Sequence, residues 1–253
     1  MHSGSRYSTA PPIGALVGLL EAPPIAARLG PLEIETLAKL SVTENHYPAD
    51  SIIIDQGATT RNVHLVASGW GCVYRDLANG KRQIIDFSMR CDFIGLRTAN
   101  GYSYNTIASI TPMTIFEISL SSLEEAIKQA PRLSFILIEL LSRQRALLIE
   151  HLTNIGCRSA LVRTAYFMLE LSDRVRACGI GDPDSFYCPL TQYQLADALG
   201  LTPIHLNRML RELREEELMT FKSSRVEILD RDRLVAISDY DGEFLRMSVF
   251  DRN

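Results

Sequence analysis

LTQYQLADALGLTPIHLNRMLRELREEELMTF, residues 190–221, divides into a helix, a glycine turn and a second helix. Thr191 suits an N-cap, because its hydroxyl can accept from the orphan amides of the next turn, and Leu195, Ala196 and Leu199 then share one face. Gly200 supplies the bend and Leu201 fills the angle between the helices. Thr202 caps the second helix with Pro203 at its first position, where a missing amide is harmless. Leu206, Met209, Leu210 and Leu213 recur at helical spacing and point inward, which leaves His205, Asn207, Arg208 and Arg211 outward. Such a face, free of acidic side chains at its N-terminal end, suits base edges in a major groove. Arg208 is the foremost reader, since a guanidinium can bond bidentately to guanine, and Asn207 or His205 can read a neighbouring base.

On the C-terminal side, Leu218–Phe221 and Val226–Leu229 are β-patterned runs joined by Lys222-Ser223-Ser224-Arg225. They form a wing, and Lys222 and Arg225 suit phosphate contacts. Upstream, Ser159 caps a helix that runs to about Ala177, with Leu161, Ala165, Met168, Leu169 and Val175 apolar, and Cys178–Pro183 ends it.

After Pro131 a longer helical period carries two apolar stripes. Leu133, Leu137, Leu140, Gln144, Leu147 and His151 form a seam assigned to a dimer interface with a second copy, Gln144 being suited to fix its register. Ile136, Leu141, Leu148, Leu152 and Ile155 run alongside, available to cover the helix's own domain. A helix of about 25 residues, roughly 35 Å long, calls for a partner beyond one small domain. Gly156 interrupts the pattern and sets a hinge near Asn154–Ser159.

Tyr47–Ser119 has a different texture: Ser51–Ile54, Val63–Val66, Gly71–Tyr74 and Ile84–Phe87 are short β-rich runs separated by turn signals, with Asn79-Gly80 suited to a type I′ hairpin. Spacing near ten residues points to a small antiparallel barrel or roll. Leu32–Leu40 reads as a short helix with Pro31 at its start, and the Ser-, Pro- and Gly-rich Met1–Pro24 as a flexible tail with room for one helical turn at the apolar stretch Ile13–Leu20. The chain is thus α+β: 1–24 tail, 25–130 β-roll, 131–156 dimerisation helix, and 157–253 winged helix-turn-helix.

The 253 residues carry a formal net charge of -4, so any polyanion must be met by local charge rather than bulk composition. No apolar run is long enough to span a membrane and the start lacks a signal-like basic flank, which leads us to expect a cytoplasmic protein without membrane contact. Cys72, Cys91, Cys157, Cys178 and Cys188 are too scattered for a zinc or iron-sulfur site; Cys157, beside Arg158, is the candidate for a redox-sensing thiol. His2, His46, His64 and His151 form no paired set, and His151 on the seam is the one noted as a candidate pH or haem sensor. No metal or cofactor is expected. GxSxG, HExxH, P-loop and GxGxxG motifs are all missing, which argues against an enzyme.

From about residue 30 to 235 the chain resembles the Crp/Fnr family of bacterial transcription regulators. YPADSIIIDQG (47–57) is similar to the family's opening β-roll strand, HLVASGWGCVYRDLANGKRQI (64–84) to its following hairpins, CDFIGL (91–96) to the start of its effector-pocket segment, and TPIHLNR (202–208) to alphaproteobacterial recognition helices. The resemblance implies an N-terminal antiparallel β-roll of the cyclic-nucleotide-binding-like jelly-roll type, a long dimerisation helix and a C-terminal winged helix-turn-helix. It implies a homodimer on palindromic double-stranded DNA, with RNA polymerase as a further partner. It also implies DNA contacts from Pro203, Ile204, Asn207 and Arg208, beside Thr202, with Thr191 and Gln192 near phosphates.

Two departures stand out. Many relatives carry glutamate where this chain has Ile204, and isoleucine cannot accept from cytosine N4, so a shifted half-site with an apolar contact is expected there. Cyclic-AMP-binding relatives use a Gly-Glu pair on the ribose and an Arg-Ser or Arg-Thr pair on the phosphate. Here Gly95 is followed by Leu96, Ser103 and Tyr104 stand at the phosphate pair, and Arg97 matches poorly. A buried phosphate would lack its cation, so cyclic AMP control is not expected. The alternative is a regulator answering another ligand or a redox signal through the β-roll or a cysteine.

Overall fold

A computed structural model describes residues 7–9, 15–20, 29–95 and 101–246. The chain divides into two compact units, Met1–Leu140 and Leu141–Asn253, a boundary inside the long helix rather than at Asn154–Ser159.

The first unit runs β1 (Tyr7–Thr9), α1 (Ala15–Leu20), α2 (Pro31–Ala38), β2 (Thr43–Tyr47), β3 (Ile52–Ile54), β4 (Asn62–Ser68), β5 (Gly71–Asp76), β6 (Arg82–Ser88), β7 (Phe93–Ile94), β8 (Thr106–Ser109), β9 (Met113–Ser119) and α3 (Leu120–Gln129). It then enters α4 (Arg132–Cys157). Antiparallel pairing gives one sheet in the order β1-β2-β9-β4-β7 and another in the order β3-β8-β5-β6. Alternation along the strands sorts the apolar side chains. Val66 and Ile115 join Tyr47, Ile54, Ile94, Ile107 and Met113 in one cluster, the inside of the roll. Their neighbours Leu65 and Phe116 face the other way, into a second cluster with Leu37, Ala126, Ala130 and Leu133.

Three expectations change here. Part of the supposed tail is folded: β1 pairs with β2, and Leu16 and Leu19 of α1 are buried against the helical cluster. Asn79-Gly80 does not form a type I′ turn. Leu77 accepts from the Gly80 amide at 2.9 Å and donates to Lys81 at 2.8 Å, which makes a three-residue loop with positive φ only at Gly80 (78°). That loop needs its left-handed residue at the last position alone, so Asn79 can stay right-handed.

The third change concerns α4. Leu133, Leu137 and Leu140 pack into the first unit's own helical cluster, and in the second unit Leu147 is 3% exposed, so this stripe faces its own chain. Of the second stripe, Ile136 is buried in the same cluster, while Leu141, Leu148, Leu152 and Ile155 are exposed, Leu152 at 73%. Gly156 does not break the helix, which continues to Cys157.

The second unit continues with α5 (Ala160–Ala177), β10 (Ser185–Tyr187), α6 (Gln192–Leu199), α7 (Pro203–Glu215), β11 (Met219–Lys222), β12 (Arg225–Ile228), α8 (Arg231–Ser238) and α9 (Glu243–Arg246). Helix α5 is the hub, packed on α6, α7 and α8, with Tyr166, Phe167, Met168, Leu169 and Leu171 buried. Beside them lies a charged group. Glu170 is fully buried, takes His151 Nε2 at 2.9 Å and faces Arg174 Nη1 at 3.5 Å.

Candidate nucleic-acid interface

Local chemistry positions the two helices of the motif. Thr191 Oγ1 accepts from the Gln194 amide at 3.2 Å, and Gln194 Oε1 accepts from the Thr191 amide at 2.8 Å, a reciprocal capping box that starts α6. Gly200 ends it at φ 61°, ψ 37°, and the Leu201 amide donates back to the Ala196 carbonyl at 2.9 Å. That left-handed cap is the one place in the motif where glycine's freedom is required. Thr202 Oγ1 accepts from the His205 amide at 3.2 Å, and Pro203 opens α7. Leu195, Ala196, Leu199, Leu206, Met209, Leu210 and Leu213 are all buried, so the expected inner faces are the actual ones.

The outer face of α7 is equally clear. Ile204 is 86% exposed, Asn207 and Arg208 lie exposed one turn on and Arg211 two turns on, with His205 half-buried. The two arginines differ. Arg211 Nε sits 2.7 Å from Glu215 Oε1, which holds its guanidinium above the usual range through that hydrogen bond. Arg208 forms no ion pair or hydrogen bond among the described residues, so its fork of donors is available. Across the motif, Asn207 Nδ2 donates to Gln192 Oε1 at 3.3 Å.

The wing is a sheet in the order β10-β12-β11. Strand β10 carried no legible signal beforehand; it pairs Phe186 with Val226, both buried, across about 40 residues of chain. Ser223 and Ser224 join β11 to β12 with φ 49° and 58°, the two-residue turn whose twist matches the strands. Lys222 and Arg225 pair across the turn and are both exposed. Arg225 is held by Ser185 Oγ at 2.6 Å and lies 3.8 Å from Glu227, whereas Lys222 has no ion pair among the described residues. Left-handed serine is strained by about 1–2 kcal/mol, against which glycine's extra unfolded-state entropy takes back roughly 0.5–1 kcal/mol. Ser224→Gly is therefore expected to raise stability by about 0.5–1 kcal/mol, read as a higher Tm on thermal unfolding; a lower Tm would show that the serine side chain itself holds the turn.

Of the residues aligned with the family's effector pocket, Gly95, Ser103 and Tyr104 are described. Gly95 has φ 77° and a side chain there would meet His64 Nδ1 at 3.0 Å, while Leu96 and Arg97 lie outside the described residues. Ser103 Oγ donates to the Asn105 carbonyl at 2.7 Å, and Tyr104 is half exposed with its ring edge-on to Tyr102. Residues 101–105 contain no cation.

A polar group inside the roll went unforeseen: Glu117 accepts from Asn45 Nδ2 at 3.0 Å and from Asn62 Nδ2, with His64 Nε2 3.8 Å away. Their inward parity with Val66 and Ile115 was the available signal. Among the cysteines Cys157 is exposed and the other four are buried, burial pushing Cys72 up to about 11 and Cys188 up to about 12. His151 Nε2 lies 2.9 Å from Glu170 Oε2 of its own chain. Among the described residues no group of three or more His, Cys, Asp or Glu is placed to hold a metal, and no helix is long and apolar enough to cross a membrane.

Comparison with known proteins gives these geometries a context. A model of the Crp-like helix-turn-helix domain matches residues 162–237, and a model of the cyclic nucleotide-binding domain matches residues 44–130. The nitrogen fixation regulation protein FixK of Bradyrhizobium diazoefficiens is 25% identical over 193 residues, 76% of this chain and 81% of the relative. The transcriptional activatory protein AadR of Rhodopseudomonas palustris is 26% identical over 193 residues, 76% of this chain and 80% of the relative. In fold the chain is similar to the structure of FixK2 from Bradyrhizobium japonicum, with TM-score 0.71 and 24% identity over 78% of this chain and 98% of that one.

Proposed function

Because the chain belongs to the Crp/Fnr family and is a DNA-binding transcription regulator of that type, we propose that it acts as a homodimer on a palindromic site read by α7. The observation that carries this is the outer face of α7, where Ile204, Asn207 and Arg208 stand exposed on a helix whose opposite face is buried and whose cap is free of acidic side chains. A two-fold dimer places two such helices in successive major grooves, with half-site centres roughly 34 Å apart. Lys222 at the wing tip, Thr191 and Gln192 at the start of α6, and Thr202 and Pro203 at the start of α7 supply backbone contacts around the readers. The reading extends to the cytoplasm as the place of action and RNA polymerase as the protein met there.

The surface for self-association is the exposed stripe of α4. Leu141, Arg145, Leu148, Leu152 and Ile155 recur at alternating four- and three-residue steps, the spacing of a two-stranded seam, and its four apolar members are exposed in the single chain. Each Leu152 buried in such a seam is worth about 2 kcal/mol, so a dimer carrying Leu152→Glu loses roughly 4 kcal/mol, close to a thousandfold in dissociation constant. Sedimentation at micromolar concentration should then find monomer, with operator binding lost in parallel. A Leu152→Glu protein that still sediments as a dimer would contradict the assignment of this face.

Cyclic AMP is not the controlling signal in this reading. Residues 101–105 offer no cation for its phosphate, Ser103 spends its hydroxyl on a neighbouring carbonyl, and the group inside the roll is built around a carboxylate.

A further inference from the structure

We propose that Gln192 of α6 is a positioning residue that sets the base preference of Asn207 on α7, an inference that rests on α7 being the reading helix. The two side chains belong to different helices, 15 residues apart, and meet across the angle set by Gly200, with Asn207 Nδ2 donating to Gln192 Oε1 at 3.3 Å. A carboxamide has two N–H donors and one acceptor oxygen. With one N–H given to Gln192, the amide of Asn207 is oriented so that its second N–H and its Oδ1 remain for a ligand. Donor beside acceptor is the complement of adenine's N7 and N6–H in the major groove.

The flanking residues make that orientation matter. Ile204, one turn earlier on the same face, has no polar group, and Arg208, next in sequence, offers donors only. Asn207 is therefore the one member of the trio with an acceptor to present, and its flip state decides whether the acceptor meets the N6–H of adenine. Gln192 thereby narrows each half-site to an A·T pair at the base pair beneath Asn207. Holding the side chain before DNA arrives also removes rotamer entropy from the cost of binding.

This role differs measurably from the phosphate contact that the family resemblance implies for Gln192. A lost phosphate contact weakens binding to all sequences alike, whereas a lost positioning contact relaxes one base pair. The test uses the full-length protein and an operator selected from a randomised pool, varied to all four base pairs at the Asn207 position. The unsubstituted protein should favour A·T by about tenfold, the scale of one bidentate contact. Gln192→Met, which removes the acceptor, should cut that preference to about threefold or less and leave other positions unchanged. Gln192→Glu, which can accept but not donate, should keep the preference while weakening binding overall through its charge near phosphates.

Equal weakening at all four base pairs by Gln192→Met would return Gln192 to a phosphate role and overturn the proposal. Loss of preference in Gln192→Glu would overturn it too, since the glutamine would then be donating. Failure of the underlying reading looks different: Asn207→Ala and Arg208→Ala would both leave every base preference intact.

Discussion

Arg208→Ala is expected to lower affinity for the specific operator by roughly a thousandfold while leaving weak binding to unrelated DNA nearly unchanged. A bidentate guanidinium–guanine contact discriminates by about 1–3 kcal/mol, and a two-fold dimer makes it twice, so about 4 kcal/mol is at stake. The size of the effect depends on the side chain being unspent. Arg211, three residues on, already shares a 2.7 Å ion pair with Glu215, whereas Arg208 has no such partner among the described residues and stands exposed beside Asn207. Arg211→Ala should accordingly cost far less. The two kinds of contact also separate by salt and by sequence: losing a phosphate contact weakens all sites and flattens the salt dependence, and losing a base contact relaxes one position. Footprinting and competition binding on single-base operator variants give both readouts. Undiminished protection of the operator by Arg208→Ala would show that another element reads the bases.

The helix-turn-helix was legible because every signal in it is local. Thr191 and Gln194 make their capping box three residues apart, Gly200 takes its left-handed turn by its own conformational freedom, and Thr202-Pro203 start α7 without help from elsewhere. The roll was legible by alternation, as Leu65 and Val66 show by facing opposite clusters. Pairings made at a distance were not. Strand β10 exists because Phe186 finds Val226, and α1 is anchored because Leu16 and Leu19 find the helical cluster, and neither partner can be read from its neighbourhood.

The α4 error has a sharper cause. Its two stripes share one helical period and similar apolar residues, so periodicity cannot say which faces inward. That is decided by where neighbouring elements already lie: in the first unit the cluster of Leu37, Ala126 and Ala130 captures Leu133 and Leu140, and Ile136 of the second stripe with them. Polar side chains on inward positions were missed for a related reason. Asn45 and Glu117 look like surface residues until their strands pair and supply each with the other.

Glu170→Ala is the substitution with the largest expected effect on stability, about 3–5 kcal/mol, against a typical total of roughly 5–15 kcal/mol. The carboxylate is fully buried on α5, takes His151 Nε2 at 2.9 and 3.0 Å and faces Arg174 Nη1 at 3.5 Å, so α4 and α5 meet through it in the second unit. Alanine removes the one negative charge in this trio and takes from Arg174, 1% exposed, the carboxylate that lies 3.5 Å from its guanidinium. Removing one partner of a buried ion pair costs more than replacing both, which is why the double substitution should behave differently. A Glu170→Leu, Arg174→Met double substitution fills the space with apolar groups of similar size and should recover most of the loss, a coupling of several kcal/mol in a double-mutant cycle. Urea unfolding followed by far-UV circular dichroism measures each variant. DNA binding by Glu170→Ala should fall only as far as the folded fraction does, because α5 supports α7 from behind and touches no base in this reading. A loss under about 1 kcal/mol for the single substitution, or a double no better than Glu170→Leu alone, would mean that the buried ions are not what ties α4 to α5.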